Sequence, residues 1–87
     1  MSEVRDHPER SRFELQVGDA TVYADYRRQG GRLFIDYVYA PPSLRGSGAS
    51  GRLMDGVLAA ARAEGAEITP ICGYAAAYLR RRGGRSA

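Results

Sequence analysis

The segment from Arg45 to Gly51 places three glycines and two serines between a strand-like stretch and a helix-like one. Pro41-Pro42 precedes it and ends the strand, because proline donates no backbone hydrogen bond and restrains the residue before it. Glycine permits positive φ angles and close approach of a ligand, and the amides at a helix N-terminus carry partial positive charge. The segment therefore predicts a strand-turn-helix unit whose turn binds a phosphate group.

The chain has 87 residues, enough for one small domain that buries roughly 60–65% of its unfolded surface. The single cysteine, Cys72, leaves no intrachain disulfide and no cysteine-based zinc site, so the fold depends on its hydrophobic core. Met1 to Arg12 lacks the apolar stretch of a secretory signal, and no apolar run approaches the length of a membrane span. We therefore expect a cytoplasmic protein.

Three stretches with alternating apolar residues predict an antiparallel meander, since a period of two is typical of half-buried strands. Turns containing Gly18 and Gly30 separate these stretches, and the third stretch is rich in aromatic and β-branched residues. The predicted strands are Phe13–Val17, Ala20–Tyr26 and Leu33–Tyr39.

A helix of about sixteen residues should follow the glycine turn, because apolar residues recur there at helical spacing and Gly65 stands at the expected C-cap. Glu67 to Ile71 predicts a fourth strand, parallel to the third through a βαβ crossover. Tyr74 to Arg82 predicts a second helix. The fold class is therefore α+β, with one mixed four-stranded sheet and two helices.

The domain is expected to span residues 12–82. Met1 to Ser11 is charged and aperiodic, which indicates a flexible lead-in, and Gly83 to Ala87 is interpreted as a disordered tail. Charge is uneven along the chain: residues 1–44 carry six Arg and seven Asp or Glu, whereas residues 45–87 carry seven Arg and three. The second half is therefore expected to face anions.

Two motifs compete for the glycine segment. Gly46 to Gly51 fits the dinucleotide fingerprint G-x-G-x-x-G, but that fingerprint belongs after the first strand of a parallel sheet, and here an antiparallel meander precedes it. Arg45 to Ser50 also resembles Q/R-x-x-G-x-G/A, the pyrophosphate-binding motif of the GCN5-related N-acetyltransferases. Pro70-Ile71-Cys72-Gly73-Tyr74 is similar to a second motif, P-[L/I]-C-x-[F/Y], of the very small members of that superfamily. The resemblance extends from Phe13 to about Arg82.

The resemblance implies acetyl-CoA as cosubstrate, transfer of the acetyl group to an unidentified amine, and no metal. It places the pantetheine arm of acetyl-CoA between the third and fourth strands, which splay apart in this family. Arg80 to Arg82 are consistent with a solvated helix end or with a contact to the adenosine 3′-phosphate. The implied cofactor-binding residues are Val38, Tyr39, Ala40, Arg45, Gly46, Ser47, Gly48, Ala49, Ser50 and Gly51.

Four residues are candidates for the chemistry. Tyr74 and Tyr78 are plausible acids for the departing thiolate, and Asp36 is a candidate base. Cys72 is either a covalent nucleophile, favoured by a helix N-terminus, or a small buried structural residue. Tyrosines of the strands are interpreted as packing residues, although a substrate-lining role is the alternative.

One departure from the family pattern leaves catalysis open. Tyr37-Val38-Tyr39 stands where the small family usually has a polar stretch containing histidine, threonine and an acid. A CoA-binding protein without transferase activity is therefore the main alternative. A nucleic-acid-binding module is a weaker one, because the net charge is only +3 and no recognition motif is visible. A homodimer is possible, since a small sheet with an exposed edge gains from a partner.

Overall fold

The computed structural model describes residues 3–81 as a five-stranded sheet with two helices packed on one of its faces. The strands lie in sequence order; β4 pairs with β5 in parallel and every other pair is antiparallel. The strands are β1 (Arg5–His7), β2 (Arg12–Val17), β3 (Ala20–Gln29), β4 (Arg32–Tyr39) and β5 (Glu67–Pro70), and the helices are α1 (Ala49–Glu64) and α2 (Gly73–Arg81).

The α+β fold class is confirmed, and so are the three-stranded meander, the parallel last strand and both helices. The number of strands is wrong: the sheet has five rather than four, because Arg5–His7 adds an antiparallel edge strand to β2. A 3-10 turn at Pro8–Arg10 connects the two. The predicted flexible lead-in thus contains regular structure, whereas Arg82 and the predicted tail lie outside the described residues.

One face of the sheet and the inner faces of both helices form a single hydrophobic core. Alternate residues of β2, β3 and β4 point into it, as the period of two predicts. The core residues are Phe13, Leu15, Val22, Ala24, Tyr26, Leu33, Ile35, Ala49, Leu53, Met54, Val57, Ala61, Ala75 and Tyr78. The other face of the sheet is covered by neither helix.

Helix α1 ends at the expected glycine. Gly65 adopts a left-handed conformation with φ of 70°, and its amide donates to the carbonyls of Ala61 and Arg62. Such a cap satisfies carbonyls that the last turn leaves without partners, and it directs the chain into β5.

The pairing of β4 with β5 covers only the first half of β4. The parallel register runs from Arg32 opposite Glu67 to Ile35 opposite Pro70, after which the amides of Ile71 and Cys72 both donate to the carbonyl of Ile35 at 3.0 Å. β4 continues to Tyr39, paired there with β3 alone. The strands therefore separate beyond Ile35 and leave one edge of β4 open; we call this opening the β4–β5 gap.

A β-bulge lies on β4 where the gap begins. Tyr26 pairs with Ile35 and Asp25 pairs with Tyr37, so in the strand register Asp36 has no residue opposite it on β3. A bulge bends a strand and redirects the side chains that follow it. The end of β4 is thereby turned relative to the paired half of the strand.

Arg28 connects three elements through one guanidinium group. It donates to both carboxylate oxygens of Glu64 at 3.0 and 2.9 Å, to Asp6 at 3.1 Å and to the hydroxyl of Tyr26 at 2.8 Å. The hydroxyl of Tyr26 donates to Asp6 at 2.6 Å. Chiefly through Glu64, these contacts raise the pKa of Arg28. The network ties β1 and the end of α1 to β3.

Arg28→Ala should lower the free energy of unfolding by about 1–2 kcal/mol, because a network of several charges exceeds an isolated surface pair. Arg10→Ala is the matched control: Arg10 forms one exposed ion pair with Glu14, and its loss should cost less than about 0.5 kcal/mol. Urea unfolding of both variants checks this expectation. Equal losses would show that the network adds nothing beyond single pairs.

Candidate functional site

The glycine turn adopts the backbone conformation that its residues predict. Gly46 and Gly48 have φ of 82° and 89°, and Gly48 is the N-cap of α1. A Cβ atom built on either glycine would meet no atom within 4 Å, so both positions border open space. Glycine is required here by backbone conformation and leaves room for a ligand against the turn.

Ser47 holds the turn together between the two glycines. Its hydroxyl donates to the carbonyl of Leu44 at 2.6 Å and accepts from the amide of Ala49 at 3.2 Å. The amide of Arg52 donates to the carbonyl of Gly48 at 3.1 Å, which is the first hydrogen bond of the helix. Within the described residues this leaves the first-turn amides of Ser50 and Gly51 without an acceptor. They are available to an anion.

Arg45 closes the loop that leads to the turn. Its Nε donates to the carbonyl of Ala40 at 2.9 Å, which connects the end of β4 to the start of the glycine segment. The side chain is exposed, so its terminal nitrogens face solvent beside the turn. Arg45 thus positions the loop as well as adding positive charge there.

An open groove of about 310 Å³ lies between the N-terminal half of α1 and α2. The groove is lined by two glycines of the first part of α1 and its cap, two arginines, two tyrosines and one aspartate. The lining residues are Gly48, Gly51, Arg52, Asp55, Tyr74, Tyr78 and Arg81. Arg52 was not predicted as a site residue, although its place directly after the glycine motif was a usable signal. Arg81, which is exposed at the end of α2, lines the same groove.

The two candidate tyrosines differ in what their hydroxyl groups contact. Tyr78 is 4% exposed and its hydroxyl donates to Asp55 on α1, which joins the helices. The Tyr74 hydroxyl lies 4.0 Å from where a Cβ on Gly51 would stand, at the groove. Burial raises the pKa of Tyr74, while Arg81 lowers it and Asp55 raises it further. Tyr74 therefore stays protonated to higher pH than a free tyrosine.

Cys72 occupies the junction between β5 and α2. Its amide donates to Ile35 at the start of the gap, and its carbonyl accepts from the amide of Ala76, which opens α2. The side chain is half-buried and packs against the hydrophobic core. The junction holds Cys72 next to the point where β4 and β5 separate.

Asp36 forms an ion pair with Arg27. Arg27 donates to its two carboxylate oxygens at 2.8 and 2.9 Å, and these hydrogen bonds lower the pKa of Asp36. A carboxylate with a lowered pKa is a weaker proton acceptor, and the role of Asp36 as a base stays a prediction.

The remaining predicted cofactor residues flank the open edge of β4. Val38 and Ala40 pack partly against the core, and the ring of Tyr39 stacks on Tyr23 at a centroid distance of 5.3 Å. The backbone from Val38 to Ala40 leads directly into the loop before the glycine turn. The hydrogen bond from Arg45 to Ala40 connects the end of β4 to the loop before the glycine turn, and Gly48 of that turn lines the groove.

Fold and site together define an α+β protein with a glycine turn at the N-terminus of its main helix and a strand edge left open beyond Ile35. The model of the family described as GCN5-related N-acetyl-transferase matches residues 12–84. The chain belongs to this family, and its class of activity is N-acetyl transfer. Curated proteins show no significant sequence match to it.

Among residues 3–81, no three histidine, cysteine, aspartate or glutamate side chains are grouped so as to hold a metal ion. Neither helix in that range has the length and apolar character needed to cross a membrane.

Proposed function

We propose that this chain binds acetyl-CoA at the glycine turn and transfers the acetyl group to an amine. The observation that carries the proposal is the pair of unpartnered amides, Ser50 and Gly51, beside two positive-φ glycines at the N-terminus of α1. Family membership supports acetyl-CoA as the cosubstrate.

The pyrophosphate would accept hydrogen bonds from the turn amides, since a helix N-terminus combines free donors with partial positive charge. Arg52 and Arg81, on opposite walls of the groove, are placed to neutralise further phosphate charge. The pantetheine arm carries amide groups, and the unpaired edge of β4 offers backbone groups that match them. These features fit a ligand with phosphates at one end and amides along its arm.

The transfer step requires no redox chemistry. The neutral amine attacks the thioester carbonyl, so that a C–N bond forms and the C–S bond breaks. The amine loses one proton and the departing thiolate gains one. Tyr74 is proposed as the donor of that proton, because it lies two residues after Cys72, which borders the gap, and because burial raises its pKa so that the hydroxyl keeps its proton. Direct transfer then needs no covalent enzyme intermediate.

Calorimetric titration of the purified chain with acetyl-CoA tests the binding, with NAD(H) as a parallel ligand. We expect micromolar affinity for acetyl-CoA and none for NAD(H). Release of CoA thiol in the presence of amines tests the transfer. The absence of acetyl-CoA binding, or a preference for NAD(H), would contradict the proposal.

CoA binding without transfer is the second candidate, favoured by the ion pair that occupies Asp36. Affinity for acetyl-CoA together with no thiol release across an amine panel would select it. A covalent route through Cys72 is distinguished by mass spectrometry, since an acetylated Cys72 would add the acetyl mass to the chain before any amine is supplied.

Gly51→Ala should separate stability from binding. Alanine favours a helix interior by up to about 1 kcal/mol over glycine, and the new Cβ would contact the Tyr74 hydroxyl at an ordinary distance of 4.0 Å. We therefore expect a more stable fold that binds acetyl-CoA several-fold more weakly, because the methyl group narrows the groove. Thermal unfolding and calorimetry measure the two effects. Unchanged affinity would place the ligand outside this groove.

A further inference from the structure

The large apolar side chains that stand exposed in residues 3–81 are concentrated at the β4–β5 gap. Tyr37 is 49% exposed and Ile71 is 57% exposed. Tyr37 lies on β4 just beyond the last pair with β5, and Ile71 directly follows the last residue of β5. Two exposed apolar side chains thus flank one opening, and clustered exposed apolar surface commonly marks a binding site.

Tyr37 belongs to an aromatic cluster on the face of the sheet that the helices leave uncovered. Its ring lies 6.4 Å from that of Tyr23, which in turn stacks on Tyr39. The guanidinium of Arg12 covers Tyr23 at 3.7 Å from the ring centroid. The ring of Tyr23 is therefore already in contact with Arg12 and Tyr39, whereas about half of Tyr37 remains exposed to solvent at the gap.

The charges on this face are already paired. Arg12 binds Asp25 at 2.8 Å, and Arg27 binds Asp36 at 2.8 Å. Each carboxylate is thus neutralised by an arginine, which weakens its attraction for an ammonium group. The surface at the gap offers aromatic and aliphatic contact without net charge.

We propose that the gap between Tyr37 and Ile71 receives the acceptor, and that the acceptor is a small primary amine bearing an aromatic or aliphatic substituent. This inference rests on the proposed acetyl transfer and names its substrate class. The apolar substituent packs against Tyr37 and Ile71, and the amine is directed to the gap where the thioester is expected.

At this surface the amine acceptor loses its proton without the help of a catalytic base. An ammonium group that leaves water for apolar surroundings without a carboxylate partner loses hydration, which lowers its pKa. The neutral amine then forms more readily, and the proton passes to solvent. A polycation gains little at such a site, because its charges find no unpaired carboxylate there and its chain offers little apolar surface to Tyr37 and Ile71.

Acetyl transfer by the full chain tests the proposal, with 2-phenylethylamine, spermidine and a lysine-rich peptide as competing acceptors. At saturating acetyl-CoA, we expect kcat/KM for 2-phenylethylamine to exceed that for spermidine at least tenfold. Tyr37→Ser and Ile71→Ser should each raise KM for 2-phenylethylamine about tenfold, the scale of lost apolar contact in a binding pocket. Both variants should keep acetyl-CoA affinity within twofold.

Phe34→Ser is the matched control, because Phe34 lies on β4 where the strand is still paired with β5 and its ring is covered by Arg27. It should leave KM for the amine unchanged. As a readout independent of turnover, titration with 2-phenylethylamine should shift the NMR amide signals of Tyr37 and Ile71 and leave those of β1 in place.

Higher kcat/KM for spermidine or the peptide, or an unchanged KM in both gap variants, would overturn the assignment. If the chain fails to bind acetyl-CoA in calorimetry, the proposed acetyl transfer is wrong, and so is the assignment of the gap as the acceptor site. If acetyl-CoA binds but 2-phenylethylamine shifts neither amide signal, the acceptor assignment alone is wrong.

Discussion

Gly48→Ala should weaken acetyl-CoA binding at least about tenfold, which corresponds to about 1.4 kcal/mol. Gly48 has φ of 89°, and a non-glycine residue pays about 1–2 kcal/mol for that conformation. The added Cβ meets no atom within 4 Å, so the strain is conformational rather than steric. A turn that relaxes to relieve it misaligns the amides of Ser50 and Gly51. Calorimetric titration measures the loss.

Gly65→Ala provides the matched control for this prediction. Gly65 caps the other end of α1, has φ of 70°, and its added Cβ would also meet no atom within 4 Å. Both variants should lose similar stability, but only Gly48→Ala should lose affinity. Parallel losses of affinity would attribute the effect to general destabilisation rather than to the turn.

Local patterns predicted most of the fold. The alternation in β2, β3 and β4 fixed which residues face the core, because a strand places successive side chains on opposite faces. The helical spacing after the glycine turn, and Gly65 at its end, located α1 between Ala49 and Glu64. These features are encoded within a few neighbouring residues, so a single sequence suffices to find them.

Strand β1 was missed because nothing local encodes it. Its three residues show no apolar alternation, and none of them is buried. The strand is held instead by partners distant in sequence: Asp6 accepts from the Tyr26 hydroxyl at 2.6 Å and binds Arg28 at 3.1 Å. Such polar contacts depend on the assembled sheet.

The candidate site, like the fold, was predictable only where its conformation follows from residues adjacent in sequence. The glycine turn was predictable, because its conformation follows from residues adjacent in sequence. The groove was not, since Arg52 and Arg81 are joined only when α1 and α2 pack together. The engagement of Asp36 by Arg27 likewise depends on the pairing of β3 with β4. A sequence can list candidate acids and bases, whereas their partners are set by tertiary structure.

Tyr74→Phe should lower kcat about 100-fold, the lower end of the range for a positioned general acid, and leave acetyl-CoA affinity within about twofold. Phenylalanine keeps the aromatic ring and removes only the hydroxyl that would protonate the thiolate. Steady-state kinetics and calorimetry separate the two effects. An unchanged kcat would show that the leaving group takes its proton elsewhere.

Tyr78→Phe is the control that distinguishes the two tyrosines. It removes one hydrogen bond between α1 and α2, so it should cost about 0.5–1.5 kcal/mol of stability and have the smaller effect on kcat. A large loss of kcat in a folded Tyr78→Phe chain, with Tyr74→Phe unaffected, would assign the acid to Tyr78.

The pH dependence supplies an independent check on Tyr74. Burial raises its pKa above the ordinary value of 10.0, so the hydroxyl holds its proton throughout the range from pH 7 to 9.5 in which turnover is measured. We therefore expect kcat to show no loss from tyrosine ionisation in that range. The same shift makes the folded state retain a proton that the unfolded chain releases near pH 10, so stability falls as the pH rises through that value. This alkaline loss should be smaller in Tyr74→Phe, because phenylalanine has no proton to release. An equal alkaline loss in both chains would contradict the assigned burial of the Tyr74 hydroxyl.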